Sequence, residues 1–178
     1  MRLFIGIPLA SFVKDALRNV MDWEESGVRW GTPENLHLTL HFLGDCSLAA
    51  VRNAISKVTS RTFSLTLRGV GAFEGQDRES ILWVNVLQNA ELLELHRILA
   101  EHLVDAGFSL DRRAYRPHVT LARIKPFVDR NKIRDWLETH RNLSVEPMHV
   151  DRYVIYSSDL TKHGPIYTEQ ESFSLLDA

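Results

Sequence analysis

The sequence predicts an α+β protein with antiparallel sheets and two related halves. Three observations carry that expectation. Strand-like and helix-like segments are mixed, and no Gly-rich phosphate loop of the doubly wound kind is present. A four-residue phrase occurs twice, as His37-Leu38-Thr39-Leu40 and as His118-Val119-Thr120-Leu121. Each copy lies in a stretch of strand-like alternation, followed by a short turn and a helix. The copies are too few and too far apart for a solenoid.

Residues 2–8 read as a buried strand. Ser11 is placed to cap an amphipathic helix to about residue 25, with Phe12, Val13, Ala16, Leu17, Val20 and Met21 at helical spacing. Residues 27–35 form a strand fragment and turn, punctuated by Thr32-Pro33. Residues 36–43 alternate most clearly, apolar at 36, 38, 40 and 42. Ser47 starts a helix to about residue 58. Strands are expected at 63–70 and 80–87, joined through the turn-rich 74–78. Asn89 opens a long helix through Ala106, stopped by Gly107. A strand at 117–124, a helix at 129–140, and strands at 148–157 and 166–175 complete the chain.

The 178 residues, net charge of −2 and 25% charged residues describe an ordinary globular protein with no global pull towards nucleic acid or membrane. No run approaches the ~20 apolar residues of a membrane span, and the N-terminus is too short and broken for a signal peptide. A cytoplasmic protein is expected. The single cysteine, Cys46, can form neither an internal disulfide nor a zinc cage. Residues 111–134 are strongly basic, with Arg112, Arg113, Arg116, Arg123, Lys125, Arg130, Lys132 and Arg134. Such a run is usually a solvated face. Here it surrounds the second phrase, which is reason to look for an anion.

On a strand, His37 and Thr39 share one face while Leu38 and Leu40 take the other, and His118 and Thr120 repeat the arrangement. Zinc fits poorly. His37 and His41 would stand about 13 Å apart along a strand, and no carboxylate cluster or Cys-x-x-Cys completes a ligand set. Serine-type catalysis also fits poorly, since no Gly-x-Ser-x-Gly elbow exists. At about 6–7 Å along the strand, Thr39 reads as too distant for activation by His37, and better as a phosphate anchor. Two histidines of ordinary pKa near 6.5 can divide into acid and base at neutral pH, as cleavage of a phosphodiester requires. The charge on the phosphoryl group then falls to Thr39, Thr120 and a cation. Arg123 is the leading candidate, provided that a bulge near Ala122 re-aims it towards the His118 face. Phe42 holds the corresponding place in the first copy, and either packs in the core or stacks on a nucleobase. His41 is expected at the cleft edge, without a chemical role. His96, His102, His140, His149 and His163 read as structural or surface histidines.

These phrases resemble the two signature motifs of the 2H phosphoesterase superfamily, and within it the RNA 2′,3′-cyclic phosphodiesterases, also called 2′-5′ RNA ligases. The opening Arg2-Leu3-Phe4-Ile5-Gly6-Ile7, the flanked motifs at 34–44 and 117–123, and the tail at 158–167 all contribute. The resemblance implies one domain over residues 1–178, made of two interleaved lobes. The fold would be bilobal and pseudo-twofold symmetric, with two antiparallel sheets flanked by helices around a central cleft. It implies His37 as proton donor, His118 as proton acceptor, and Thr39, Thr120 and Arg123 around the phosphate. Neither metal nor cofactor is expected. The implied partner is an RNA end or nucleotide bearing a 2′,3′-cyclic phosphate, and the implied state a monomer. Ligation to a 5′-hydroxyl is the alternative reaction in the same site. A non-catalytic RNA-end binder using the basic run and Phe42 is the remaining alternative.

Overall fold

The computed structural model describes residues 1–177. In chain order it contains β1 (Arg2–Pro8), α1 (Ser11–Arg18), β2 (Val28–Trp30), a short 3-10 turn at Pro33–Asn35, β3 (His37–Asp45) and α2 (Leu48–Ile55). There follow β4 (Phe63–Leu65), β5 (Leu67–Phe73), β6 (Ser80–Val86), α3 (Ala90–Asp105) and β7 (His118–Ile124). The chain ends with α4 (Arg130–His140), β8 (Met148–Val150), β9 (Arg152–Thr161) and β10 (Gly164–Ser174). The strands make two antiparallel four-stranded sheets, ordered β10-β9-β1-β3 and β2-β7-β6-β5, plus the small pair β4-β8. The α+β expectation holds.

One unit recurs. The run β1-α1-β3-α2 in the first lobe matches β6-α3-β7-α4 in the second, with β9 and β5 as the third strands beside β1 and β6. The two motif strands, β3 and β7, meet at the centre of this pseudo-twofold arrangement. Alternation explains why the lobes are two-faced. Ile5, Ile7, Leu38, Leu40, Leu82, Val84, Val119 and Leu121 are buried in one continuous core with Val13, Leu17, Val51 and Ile55. The α3 leucines 92, 95, 99 and 103, with Ile133 and Trp136 of α4, complete that core. The opposite faces carry the histidines and threonines. No described helix is long and apolar enough to cross a membrane.

Ser47, Asn89 and Asp129 cap their helices through side-chain acceptors. Ser11 does not; Ala10 holds the cap position, with no side-chain bond. The first helix also stops at Arg18 rather than near residue 25. Beyond it the backbone unwinds, and two of its carbonyls accept indole N–H groups: Val20 from Trp136 at 2.9 Å and Trp23 from Trp30 at 2.8 Å. The single strands expected at 63–70 and 148–157 each divide in two. At Thr66 and Asp151 the chain leaves the β4-β8 pair and joins a main sheet.

Candidate active site

His37 and His118 each open their strand, and the same local bond fixes both. The Nδ1–H of His37 donates to the Asn35 carbonyl at 2.6 Å, and that of His118 to the Arg116 carbonyl at 2.6 Å. A carbonyl only accepts, so Nδ1 carries the proton in each ring and Nε2 is the nitrogen left for chemistry.

The strands then depart from alternation at equivalent places. In β3 the register with β1 skips Leu40, so that Gly6 faces Thr39 and Ile5 faces His41. In β7 the register with β6 skips Leu121, so that Trp83 faces Thr120 and Leu82 faces Ala122. Each bulge buries two successive residues, Leu40-His41 and Leu121-Ala122, and turns the next one out. Arg123 therefore returns to the face of His118 and Thr120. Phe42 returns to the face of His37 and Thr39 and is 68% exposed, which removes the core-packing reading. The same bulge removes His41 from the cleft edge. It is 7% exposed, and its Nε2 hydrogen-bonds the His96 carbonyl at 2.9 Å.

Buried His41 belongs to a stack. Its ring lies 4.1 Å from that of His96, which lies 3.9 Å from that of Tyr115. The Tyr115 hydroxyl donates to the Thr39 carbonyl at 2.9 Å. The segment leading into the second motif thus grips the backbone of the first. Burial, with His41 alongside, pushes the His96 pKa down to about 4.

Each catalytic candidate rests on aromatic rings supplied by other strands. His37 sits 4.7 Å from Phe4, 5.1 Å from Tyr167 and 5.8 Å from Tyr156, centroid to centroid. His118 sits 5.2 Å from Phe73 and 6.0 Å from Trp83. Sequence reasoning missed all five rings, because no signal in the motif strand points to its cross-strand neighbours. Burial pushes the His37 pKa down to about 4, aided by the charges of His118 and Lys14 and opposed by the Asn35 carbonyl. His37 is therefore neutral at pH 7, and its Nε2 accepts from the Thr39 hydroxyl at 2.9 Å. The expectation that Thr39 is out of reach fails, because it measured backbone spacing. On one pleat face the two side chains lean together.

Arg123 stands 3.9 Å from Glu79, whose closer partner is Lys125 at 2.8 Å. That loose pairing leaves the guanidinium available to an anion. Burial pushes the pKa of the Tyr167 hydroxyl up, and Arg123, with Arg2 and Arg29, pulls against it. The Arg123 charge is thereby felt in the first lobe, beside His37. Elsewhere in the basic run Arg113 pairs with Asp111, Lys132 with Glu25, and Arg130 binds the Gly75 carbonyl. Among the described residues, no group of three or more His, Cys, Asp or Glu side chains converges as a metal site needs.

Known proteins are similar to this chain in sequence and in fold. The chain is 32% identical over 183 residues to the RNA 2′,3′-cyclic phosphodiesterase of Methanothermobacter thermautotrophicus, with 98% of each chain covered. It is 30% identical over 178 residues to the protein of the same name from Archaeoglobus fulgidus, covering 97% of this chain and 99% of that one. TT0787 of Thermus thermophilus has a TM-score of 0.80 at 26% identity over 98% of both chains. Escherichia coli LigT complexed with 3′-AMP has a TM-score of 0.75 at 21% identity, over 98% of this chain and 97% of that one, a likeness of fold. Residues 10–162, which hold both histidine strands, match the 2′-5′ RNA ligase superfamily, the family also called 2H phosphoesterases, and the chain belongs to it.

Proposed function

We propose that this protein hydrolyses 2′,3′-cyclic phosphates on RNA ends or nucleotides to 2′-phosphates, with His37 as acid and His118 as base. One observation supports the reading: two histidines that open contacting strands each have Nδ1 tied to a carbonyl at 2.6 Å, which leaves Nε2 for chemistry. The names of the relatives at 30% identity and above support the substrate class.

In the reaction His118 takes a proton from water as the water oxygen bonds to phosphorus. The P–O3′ bond breaks, and His37 protonates the departing O3′. Thr39, Thr120 and Arg123 hold the non-bridging oxygens and stabilise their growing charge. Phe42 supplies a face for the base. Free His37 is neutral at pH 7, so it acquires its proton with the substrate. The phosphodiester anion favours the imidazolium form, and the Thr39 hydroxyl, released from Nε2, turns to a phosphate oxygen. Both histidines come from one chain, so a monomer suffices, and an RNA-end substrate fits a cytoplasmic protein.

Phosphorus NMR of a 2′,3′-cyclic nucleotide incubated with the protein in EDTA tests this reading. Conversion to the 2′-phosphate supports it. Turnover abolished by the chelator and restored by zinc would rule out the two-histidine mechanism.

A further inference from the structure

Arg123 does not stand alone on its face. In the register of β2 with β7, Arg29 lies directly opposite Arg123. Opposed positions on neighbouring strands point to the same side, with Cβ atoms about 5 Å apart. Val28 and Trp30 pack against the core, so exposed Arg29 is turned onto the face of His118, Thr120 and Arg123. Like charges placed opposite each other repel and cost stability. The carboxylate that feels both guanidiniums is Glu79, and its bond at 2.8 Å goes to Lys125.

A third guanidinium comes from the first lobe. Arg2 lies two residues before Phe4 on β1, and so shares the face on which the Phe4 ring meets His37. Among the described residues, neither Arg2 nor Arg29 forms an ion pair. The Tyr167 hydroxyl, on the ring 5.1 Å from His37, feels the charges of Arg123, Arg2 and Arg29 together. A cyclic phosphate diester carries a single negative charge, which Arg123 answers. Two further guanidiniums beside it call for a second anion. Substrate chemistry says where that anion sits. In a nucleoside 2′,3′-cyclic phosphate, O2′ and O3′ belong to the phosphate ring and C1′ carries the base. Only O5′ is left to bear another phosphate.

We infer that Arg29, with Arg2 from the first lobe, binds a phosphate on O5′ of the cyclic-ended nucleotide and so selects 5′-phosphorylated cyclic ends over bare nucleoside cyclic phosphates. The inference rests on the site and substrate class proposed above. No bond is made or broken at this second phosphate, so its contribution is to binding. A terminal 5′-phosphate and the link to a preceding nucleotide share the chemistry.

The test compares kcat/KM for adenosine 2′,3′-cyclic phosphate, for its 5′-phosphorylated form, and for the dinucleotide ApA ending in a 2′,3′-cyclic phosphate. Both phosphorylated substrates should exceed the first by about tenfold, chiefly through KM, the size of one charge-assisted hydrogen bond. The larger of the two ratios identifies the source, a terminal phosphate or a chain link. Arg29→Ala should remove most of that preference. Arg29→Lys, which keeps the charge and loses the planar fork, should restore part of it. Arg141→Ala, which removes an exposed charge at the end of α4, should leave the preference unchanged. Equal kcat/KM for the three substrates, or a preference that survives Arg29→Ala, overturns this inference and leaves the hydrolase intact. Failure to consume any of the three overturns the hydrolase and, with it, the second phosphate site.

Discussion

The two lobes share a strand, a bulge, a histidine tied to a carbonyl and a threonine, yet their histidines occupy different surroundings. The position facing the threonine decides it. In the first lobe that position is Gly6; in the second it is Trp83. A Cβ on Gly6 would stand 2.9 Å from the Leu38 carbonyl oxygen and 3.4 Å from the His37 ring. Only a bare glycine lets His37 settle among Phe4, Tyr156 and Tyr167 and bond to Thr39. In the second lobe the indole fills this space and is itself accommodated by Gly71, where a Cβ would lie 2.2 Å from the ring. His118 rides beside the indole at a groove mouth, without a matching bond to Thr120. Exchange of one glycine for one tryptophan across a pseudo-twofold axis is enough to make two copies of one motif chemically unequal.

The largest test of that contrast removes each histidine in turn. His37→Ala and His118→Ala should each slow turnover by about 10²–10⁴-fold. Added imidazole should then restore more activity to His118→Ala, whose site opens on the groove, than to His37→Ala, whose ring is enclosed by Phe4, Tyr156 and Tyr167. Equal rescue would erase the distinction. Next in size is the pair of residues turned out by the bulges. Arg123→Ala should cut kcat by about 10²-fold, the loss typical of one charge-stabilising donor. Phe42→Ala should leave kcat near its original value and raise KM about tenfold, as loss of one stacked base predicts.

Smaller effects bear on folding. Gly6→Ala forces backbone or ring movement and should cost about 1–3 kcal/mol in urea unfolding, with the Thr39–His37 bond disturbed. The pH dependence of stability has a defined sign. His37 and His96 have folded pKa values near 4 against an ordinary 6.5, so between these limits the unfolded chain binds protons that the folded one refuses. Their contribution is full above pH 6.5 and is lost as pH falls towards 4. The urea midpoint should drop across that window, and His96→Phe should flatten the drop while keeping the stack. A midpoint indifferent to pH there would mean that neither half-buried ring is held neutral by its surroundings.

Much of this was legible in the sequence because the motif is local. The duplicated His-x-Thr phrase, the α+β class and the slip of apolar phase at Ala122 are properties of neighbouring residues. What escaped depends on partners far along the chain. Tyr167 reaches His37 from β10, and Trp83 reaches His118 from β6. His96 reaches His41 from α3 and draws it inwards against the alternation. Just past the early end of α1, the carbonyls of Val20 and Trp23 are claimed by the indoles of Trp136, far along the chain, and of Trp30. Neither glycine nor proline stands at Thr66 or Asp151, where the strands divide; there the chain changes its partner sheet.

The skipped Leu40 and Leu121 have a consequence for how such strands can change. Each acts as a shift of reading frame within a sheet, letting the first, third and sixth residues of the motif share a surface that strict pleating would deny to the sixth. On the roles proposed above, chemistry and recognition are thereby separated along one strand: the histidine and threonine lie before the shift, and the sixth residue, which differs between the copies, lies after it. Phe42 and Arg123 can differ completely while the residues upstream stay the same. A strand divided in this way offers a replaceable fitting beside a fixed pair, so one ancestral half, copied, could become a surface for a base in one lobe and a clamp for a phosphate in the other.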